Sequence, residues 1–226
     1  MTTHAVSAVW VVVPARNEEQ LIGACLASLR RAMDRVFVPV TVTVVLDDCT
    51  DATAARIPSW VRAVEVRHRS AGAARRAGFE AAPTGPGVWY ATTDADSIVP
   101  PDWFAGIITS AAYGHDVRAG TIVVADWLGR DPRVGGRHDD AYRQGAGHRH
   151  IHGANLAVSA EAYHAVGGFR ALREHEDVDL VARCLAAGRS VDWAATTPVI
   201  TSARRDNRVP GGFGGHLTRL EEELTP

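Results

Sequence analysis

The stretch Val88-Trp89-Tyr90-Ala91-Thr92-Thr93-Asp94-Ala95-Asp96-Ser97 decides the reading of this chain. Its first four residues form a short apolar run of the kind that fills a buried strand. The acid pair then falls at the strand's C-terminal end, where open α/β sheets keep their ligand crevice. Two carboxylates one residue apart repel each other and Asp disfavours strand geometry, so the pair is a poor structural element. It makes sense if a hard divalent cation, Mn²⁺ or Mg²⁺, sits between it and a phosphate, because such ions prefer carboxylate and phosphate oxygens. An isolated Asp-x-Asp is more simply a solvated turn. The surrounding pattern decides against that.

Upstream, short apolar runs alternate with helical patterns. Ala8 to Val13 is a β-branched run ended by Pro14, and apolar positions at Leu21, Ile22, Cys25, Leu26 and Leu29 mark a helix. Val40 to Leu46 and Val61 to Val66 read as strands, with a short helix from Asp51 to Ile57 and an Ala-rich one from Ala71 to Ala82. This alternation implies right-handed crossovers, a doubly wound, mostly parallel α/β sheet and helices on both faces. Downstream, Pro101 to Tyr113 reads as a helix, Ala119 to Trp127 as a longer strand, Val178 to Ala187 as a helix and Val191 to Ala194 as a strand. Between them Gly135 to His152 is polar and rich in Gly and His, and Thr201 to Gly215 is rich in Arg and Gly, as in a mobile loop. One domain over residues 1–226 is the simplest organisation: a nucleotide-binding front half over 1–97, an acceptor-shaping back half over 98–200, and a flexible lid and tail over 201–226.

Composition narrows the class. With 226 residues, 46% hydrophobic and 22% charged, the chain matches ordinary globular usage. A formal charge of −2 gives no nucleic-acid footprint. Cys25, Cys49 and Cys184 are odd in number and far apart, which suits reduced thiols in a cytoplasm better than a disulfide framework. No apolar run approaches the roughly 20 residues of a membrane span. A soluble cytoplasmic protein is expected, with peripheral membrane contact left open.

Other strand ends carry polar motifs. Pro14-Ala15-Arg16-Asn17-Glu18-Glu19 follows the first strand and exposes backbone N–H groups at the crevice edge; its ordinary structural reading is a helix cap with acids in the first turn. Leu46-Asp47-Asp48-Cys49-Thr50-Asp51 ends the second strand, where Thr50 or Asp51 serves as a cap. Asp47 could accept from the imide N–H of uracil or an N–H of guanine. His148, His150 and His152 would share one face of a strand, either as a metal site or as polar loop packing.

Taken together and in this order, Val-Pro-Ala-Arg-Asn-Glu-Glu, the Asp47 to Thr53 segment, Asp94-Ala95-Asp96 and Glu176-Asp177 resemble the motifs of family 2 glycosyltransferases of the GT-A fold. The family's usual Asp-Asp-Gly-Ser-Thr-Asp-Gly-Thr is matched without gaps, so Asp47 stands at the second Asp, the base reader, Leu46 replaces the first, and Asp48 replaces Gly. The resemblance implies a metal-dependent transferase that moves a sugar from a UDP- or GDP-sugar to a hydroxyl of an acceptor the sequence does not name. It implies that Asp96 binds the metal, that Asp94 faces the donor ribose or sugar, and that Arg75 lies near the diphosphate. Asp177 would be the general base of an inverting reaction, with Glu176 in support. His152 and Asn155 would contact sugar, Arg204 and Arg205 would cover the phosphates from a lid, and His216 is a candidate third metal ligand. Three rivals stand beside this. A retaining enzyme of the glucosyl-phosphoglycerate synthase type would use Asp177 only to position substrate. A sugar nucleotidyltransferase would need a glycine-rich loop after the first strand, which Pro14 to Glu18 lacks. A non-catalytic sugar-nucleotide binding module would have no need of a base.

Overall fold

Among the described residues the chain forms seven strands and seven α-helices. The computed structural model describes residues 5–127, 129–142, 145, 147–204 and 213–224. Strands β1 (Ala8–Ala15), β2 (Val40–Asp47), β3 (Arg62–Val66) and β4 (Val88–Thr92) pair in parallel in the order β3-β2-β1-β4. Val11, Val12 and Val13 are fully buried, as expected of a central parallel strand covered on both faces. Helices α1 (Ile22–Met33), α2 (Ala71–Phe79) and α3 (Trp103–Ala112) supply the crossovers. One apolar core gathers Ile22, Leu26, Leu29, Trp103, Phe104 and Ile107 on one side of the sheet. The other gathers Phe79, Tyr90, Tyr163, Phe169 and Leu180 on the opposite side. Phe79 stacks on Tyr90 at 4.8 Å between ring centroids. The α/β sandwich and its mostly parallel sheet are thus present as expected.

The second half of the sheet is less regular. Strand β6 (Leu156–Ser159) runs antiparallel to β4 and to β5 (Val117–Val124), and β7 (Val191–Thr201) closes the edge parallel to β5. The full order is β3-β2-β1-β4-β6-β5-β7. Because β6 is reversed, Leu156 pairs with Thr92. The residues just before β6, His152 to Asn155, therefore arrive at the same sheet edge as Asp94.

Helices α4 (Pro132–Ala141), α5 (Ala160–Ala165), α6 (Glu176–Ala186) and α7 (Phe213–Glu222) complete the fold. Two segments expected to be irregular are therefore partly helical. Within Gly135 to His152, α4 is capped by Asp131, whose side chain accepts from Arg133 N–H, with Pro132 at its first position. Within the expected lid and tail, α7 lies against α4 through a small core of Val134, Ala203 and Leu217. Arg130, buried at 3% exposure, ties this corner together. It pairs with Glu221 at 2.9 Å and donates to the carbonyls of Ala203 and Arg204 at 2.6 and 2.9 Å.

Candidate functional site

A cavity of about 600 Å³ opens where the C-terminal ends of β1, β2 and β4 meet the start of β6, the first turn of α6 and helices α4 and α7. That size is typical of a small-molecule site. Pro14, Ala15, Arg16, Glu18, Asp47 and Arg75 line one side, together with Asp94, Ala95 and Asp96; Glu176, Asp177, His152 and His216 line the rest. The order of the strands thus brings together residues that lie far apart in sequence.

Arg75 organises the charges. It sits on α2, whose first turn is capped by the Ser70 hydroxyl, and is 3% exposed. Its guanidinium donates to Thr92 Oγ1 at 3.0 Å and Asp94 Oδ1 at 2.6 Å, and pairs with Glu176. One buried cation thereby joins the strand-end acids to the first turn of α6. Two glycines permit this closeness. A Cβ on Gly153 would lie 2.3 Å from Arg75 Nη2, and one on Gly72 would lie 2.3 Å from the Arg170 carbonyl oxygen.

Asp177 is next to Glu176 but unpaired with a cation in the same direct way. Its carboxylate accepts from Gly153 N–H at 2.6 Å and from Val178 N–H at 2.8 Å. Burial, and then the charge of Glu176, raise its pKa above the usual carboxylate range, against the pull of Arg75.

Asp96 and Glu18 share a second cation. Arg204 binds Glu18 through two contacts of 2.7 Å and lies 3.3 Å from Asp96. Burial and the neighbouring Asp94 push Asp96 up to about 6 even so. Asp94 and Asp96 offer the hard oxygen donors that suit Mn²⁺ or Mg²⁺. Among the described residues no group of three or more His, Cys, Asp or Glu is placed to hold a metal. Asp94, Asp96 and His216 are therefore no ready-made cage, and further ligands would have to come from substrate oxygens.

Asp47 is 4% exposed, and its carboxylate accepts the backbone N–H groups of His68, Arg69 and Ser70 at 2.6, 2.9 and 3.0 Å. It fixes the loop between β3 and α2 while still bordering the cavity. Asp48, at the family's Gly position, has φ 56°, a left-handed conformation that Asp tolerates better than most side chains.

Several expectations need correction. Asn155 is 1% exposed and committed elsewhere: its amide donates to the carbonyls of Thr121 and Thr197, and its oxygen accepts from Trp103 Nε1. It joins β5 to β7 and does not face the cavity. Asn17 neither caps α1, which begins at Ile22, nor lines the cavity; its amide bridges to Thr50. His148, His150 and His152 stack with centroids 5.7 and 6.1 Å apart and ring planes 12° and 23° apart. Stacked rings do not converge on one ion, so the metal alternative for these three fails. Arg205 lies outside the described residues.

The sequence reading missed two members of that ring group. Tyr142 stacks on His150 at 4.1 Å and on His138 at 5.0 Å, and its hydroxyl meets His152 Nε2 at 2.8 Å. His138 in turn contacts Phe213 and His216 edge-on. Only the density of His in the sequence pointed there.

A doubly wound sheet with a paired-acid turn at its ligand edge and one reversed strand is the GT-A arrangement. The chain belongs to glycosyl transferase family 2, whose model matches residues 10–174. The structure of S. aureus TarS 1–349 in complex with UDP-GlcNAc is similar with a TM-score of 0.65 and 15% identity, over 95% of this chain and 65% of that one. Mannosyltransferase PcManGT from Pyrobaculum calidifontis, in complex with GDP-Man and Mn²⁺, is similar with a TM-score of 0.66 and 20% identity, over 88% of this chain and 58% of that one. This chain thus spans less than two thirds of either neighbour's length. No curated protein matches the sequence. No described helix is long and apolar enough to cross a membrane.

Proposed function

We propose that this chain transfers a sugar from a nucleotide-diphospho sugar to an acceptor hydroxyl with inversion at the anomeric carbon. The observation that carries the reading is Asp177, a carboxylate raised in pKa, held by Gly153 N–H at 2.6 Å and facing the same cavity as Asp94 and Asp96. A base poised closer to neutrality takes a proton more effectively than an ordinary carboxylate. The acceptor oxygen attacks the anomeric carbon as its proton passes to Asp177, and the bond to the diphosphate oxygen breaks. Glu176 stays with Arg75 and leaves Asp177 to act alone. Pro14 to Arg16 and Asp47 border the space for the nucleoside, and Arg204 is near enough to Asp96 to meet the diphosphate once Glu18 yields.

Asp94 and Asp96 would hold a divalent cation, which would supply Lewis-acid stabilisation of the departing diphosphate. The Mn²⁺ and GDP-Man of PcManGT and the UDP-GlcNAc of TarS make both nucleotides reasonable donors to test. A single domain in the cytoplasm, where nucleotide sugars are at hand, completes the reading.

Titration of UDP, GDP and their sugar conjugates with and without Mn²⁺, on the native chain and on Asp96→Asn, tests it. Binding of one nucleotide that needs both metal and Asp96 is expected; binding of none overturns the reading. Retained anomeric configuration in the product would replace inversion with the alternative in which Asp177 only positions substrate.

A further inference from the structure

One guanidinium on the ionic side of the cavity comes from a segment that is neither strand nor helix. Strand β7 ends at Thr201, and Ser202, Ala203 and Arg204 follow in no regular element. Arg204 nevertheless presents a fork to the cavity: Nη1 and Nη2 each donate to Glu18 at 2.7 Å, and Nη2 lies 3.3 Å from Asp96 Oδ2. A long side chain on an irregular segment keeps one pose only if its backbone is held.

Backbone carbonyls outside a ladder need donors from elsewhere. Those of Ala203 and Arg204 are met by Arg130, through Nε at 2.6 Å and Nη2 at 2.9 Å. The Arg130 side chain is fully buried, does not line the cavity, and pairs through Nη1 with Glu221 of α7 at 2.9 Å. Ala203 is enclosed with Val134 of α4 and Leu217 of α7. At the strand end, the Thr201 hydroxyl accepts from buried Ser97, the residue after Asp96, at 3.0 Å. The segment is thus clamped at both ends, and the Arg204 fork is delivered between Glu18, which follows β1, and Asp96, which follows β4. Stability alone would be served here by apolar groups, which bury without the desolvation cost of a guanidinium. Hydrogen bonds from a rigid planar fork fix the direction of a backbone, which apolar packing does not.

We propose that Arg130 is a positioning residue for donor binding: by gripping the backbone of Ala203 and Arg204, it sets the Arg204 guanidinium where the donor diphosphate takes the place of Glu18. The inference rests on the transferase reading above. A guanidinium takes carboxylate or phosphate oxygens bidentately, so the exchange keeps its hydrogen bonds. Setting it in place before the donor arrives saves the cost of ordering it on binding.

Calorimetric titration of the full chain with Mn²⁺ compares UDP with UMP and GDP with GMP, so the ratio within each pair reads the contribution of the β-phosphate. The native chain should bind the diphosphate of one pair more tightly than the monophosphate. Arg204→Met should cut that ratio about tenfold, the worth of one charge-assisted hydrogen bond. Arg130→Met should cut it by a similar factor, with monophosphate affinity near native. The double variant should lose little more than either single one, because both act through one guanidinium. Arg130→Lys keeps the charge but not the planar fork and should fall between; it is read, alone and with Arg204→Met, if Arg130→Met does not fold. Equal weakening of mono- and diphosphate, an unchanged ratio in the Arg130 variants, or additive losses in the double variant would make Arg130 a structural tie and overturn the proposal. A native ratio near one, or a ratio unmoved by Arg204→Met, would remove the phosphate contact and the proposal with it. Each of these leaves the transferase reading in place, whereas a native chain that binds no nucleotide overturns both.

Discussion

The two walls of the cavity are held by opposite kinds of force. On the ionic side, Arg75 and Arg204 each bridge two carboxylates, and every member of those groups depends on its partner for charge balance. On the ring side, planar groups are held by stacking, and burial lowers the imidazole of His152 to about 3. Removing one ion from the first wall strands another in a poorly hydrated place. Removing one ring from the second leaves a gap. The first kind of surface answers to charge and the second to shape. Asp177 touches both: the Gly153 and Val178 N–H groups anchor it in the turn beside His152, and Arg75 of the ionic wall acts on its charge.

That position makes it the sharpest probe. Asp177→Asn keeps the size and the hydrogen bond from Gly153 but cannot take a proton, so kcat should fall by about 10²–10⁴-fold, the usual worth of a general base. Nucleotide affinity should stay close to native. A small drop in turnover would remove Asp177 from the base role and blur the division between the walls.

Arg75→Met tests the ionic wall. It leaves Asp94 and Glu176 without their common cation, and breaking such buried pairs costs about 3–5 kcal/mol. Chemical denaturation should register a loss of that order, while a neutral result would mean that water already screens the group.

The ring wall should respond to pH instead. His152 is lowered to about 3 in the fold, so the unfolded chain binds the proton first. Its contribution to stability is present above about pH 6.5, the usual imidazole value, and is lost as pH falls below it. Neighbouring His150, His138 and His148 and the hydroxyl of Tyr142 surround it. Asp96 and Asp177 work in the opposite direction, because raised carboxylate pKa values favour the fold as pH falls. The difference between native protein and His152→Gln isolates the imidazole. Melting curves from pH 7.5 to 5 should show the native chain losing up to about 1.4 kcal/mol per pH unit more than the variant. Parallel curves would mean that His152 titrates normally.

The smallest effect is expected at the rim. Arg69 pairs with Asp48 at 2.6 Å, but its side chain is 67% exposed. Arg69→Ala should change stability by less than about 1 kcal/mol. A loss as large as that of Arg75→Met would show that exposure is a poor guide to the ionic wall.

The front half of the fold was legible because its strands are short runs of β-branched or aromatic residues with clear stops, alternating with helical patterns. Asp94 and Asp96 could be picked out because paired acids at a strand end are a poor structural choice, whereas Asp177, in a helix's first turn where acids are ordinary, was reached through the family resemblance. The back half hid for physical reasons. Strand β6 has four residues, too few for a period to emerge. Strand β7 runs on through Thr197 at φ 56° and Pro198, irregularities that an edge strand tolerates and a sequence pattern reads as an end. Helix α4 contains Gly135 and Gly136, which masked the start signal of Asp131 and Pro132. Asn155 misled for the opposite reason: a polar residue beside the site was taken to face it, while three buried partners claimed its amide.

The reversed strand β6 also ties two features of the cavity to one turn. Leu156 stands opposite Thr92 of β4 and Ala119 of β5, so the residues just before β6 reach the cavity from a strand that runs against both neighbours. The turn before β6 carries Gly153, the anchor of Asp177, and His152 of the ring wall. A slip of β6 by one residue along its neighbours would turn every side chain of the strand to the other face, and would carry the anchor of Asp177 and the ring of His152 away together.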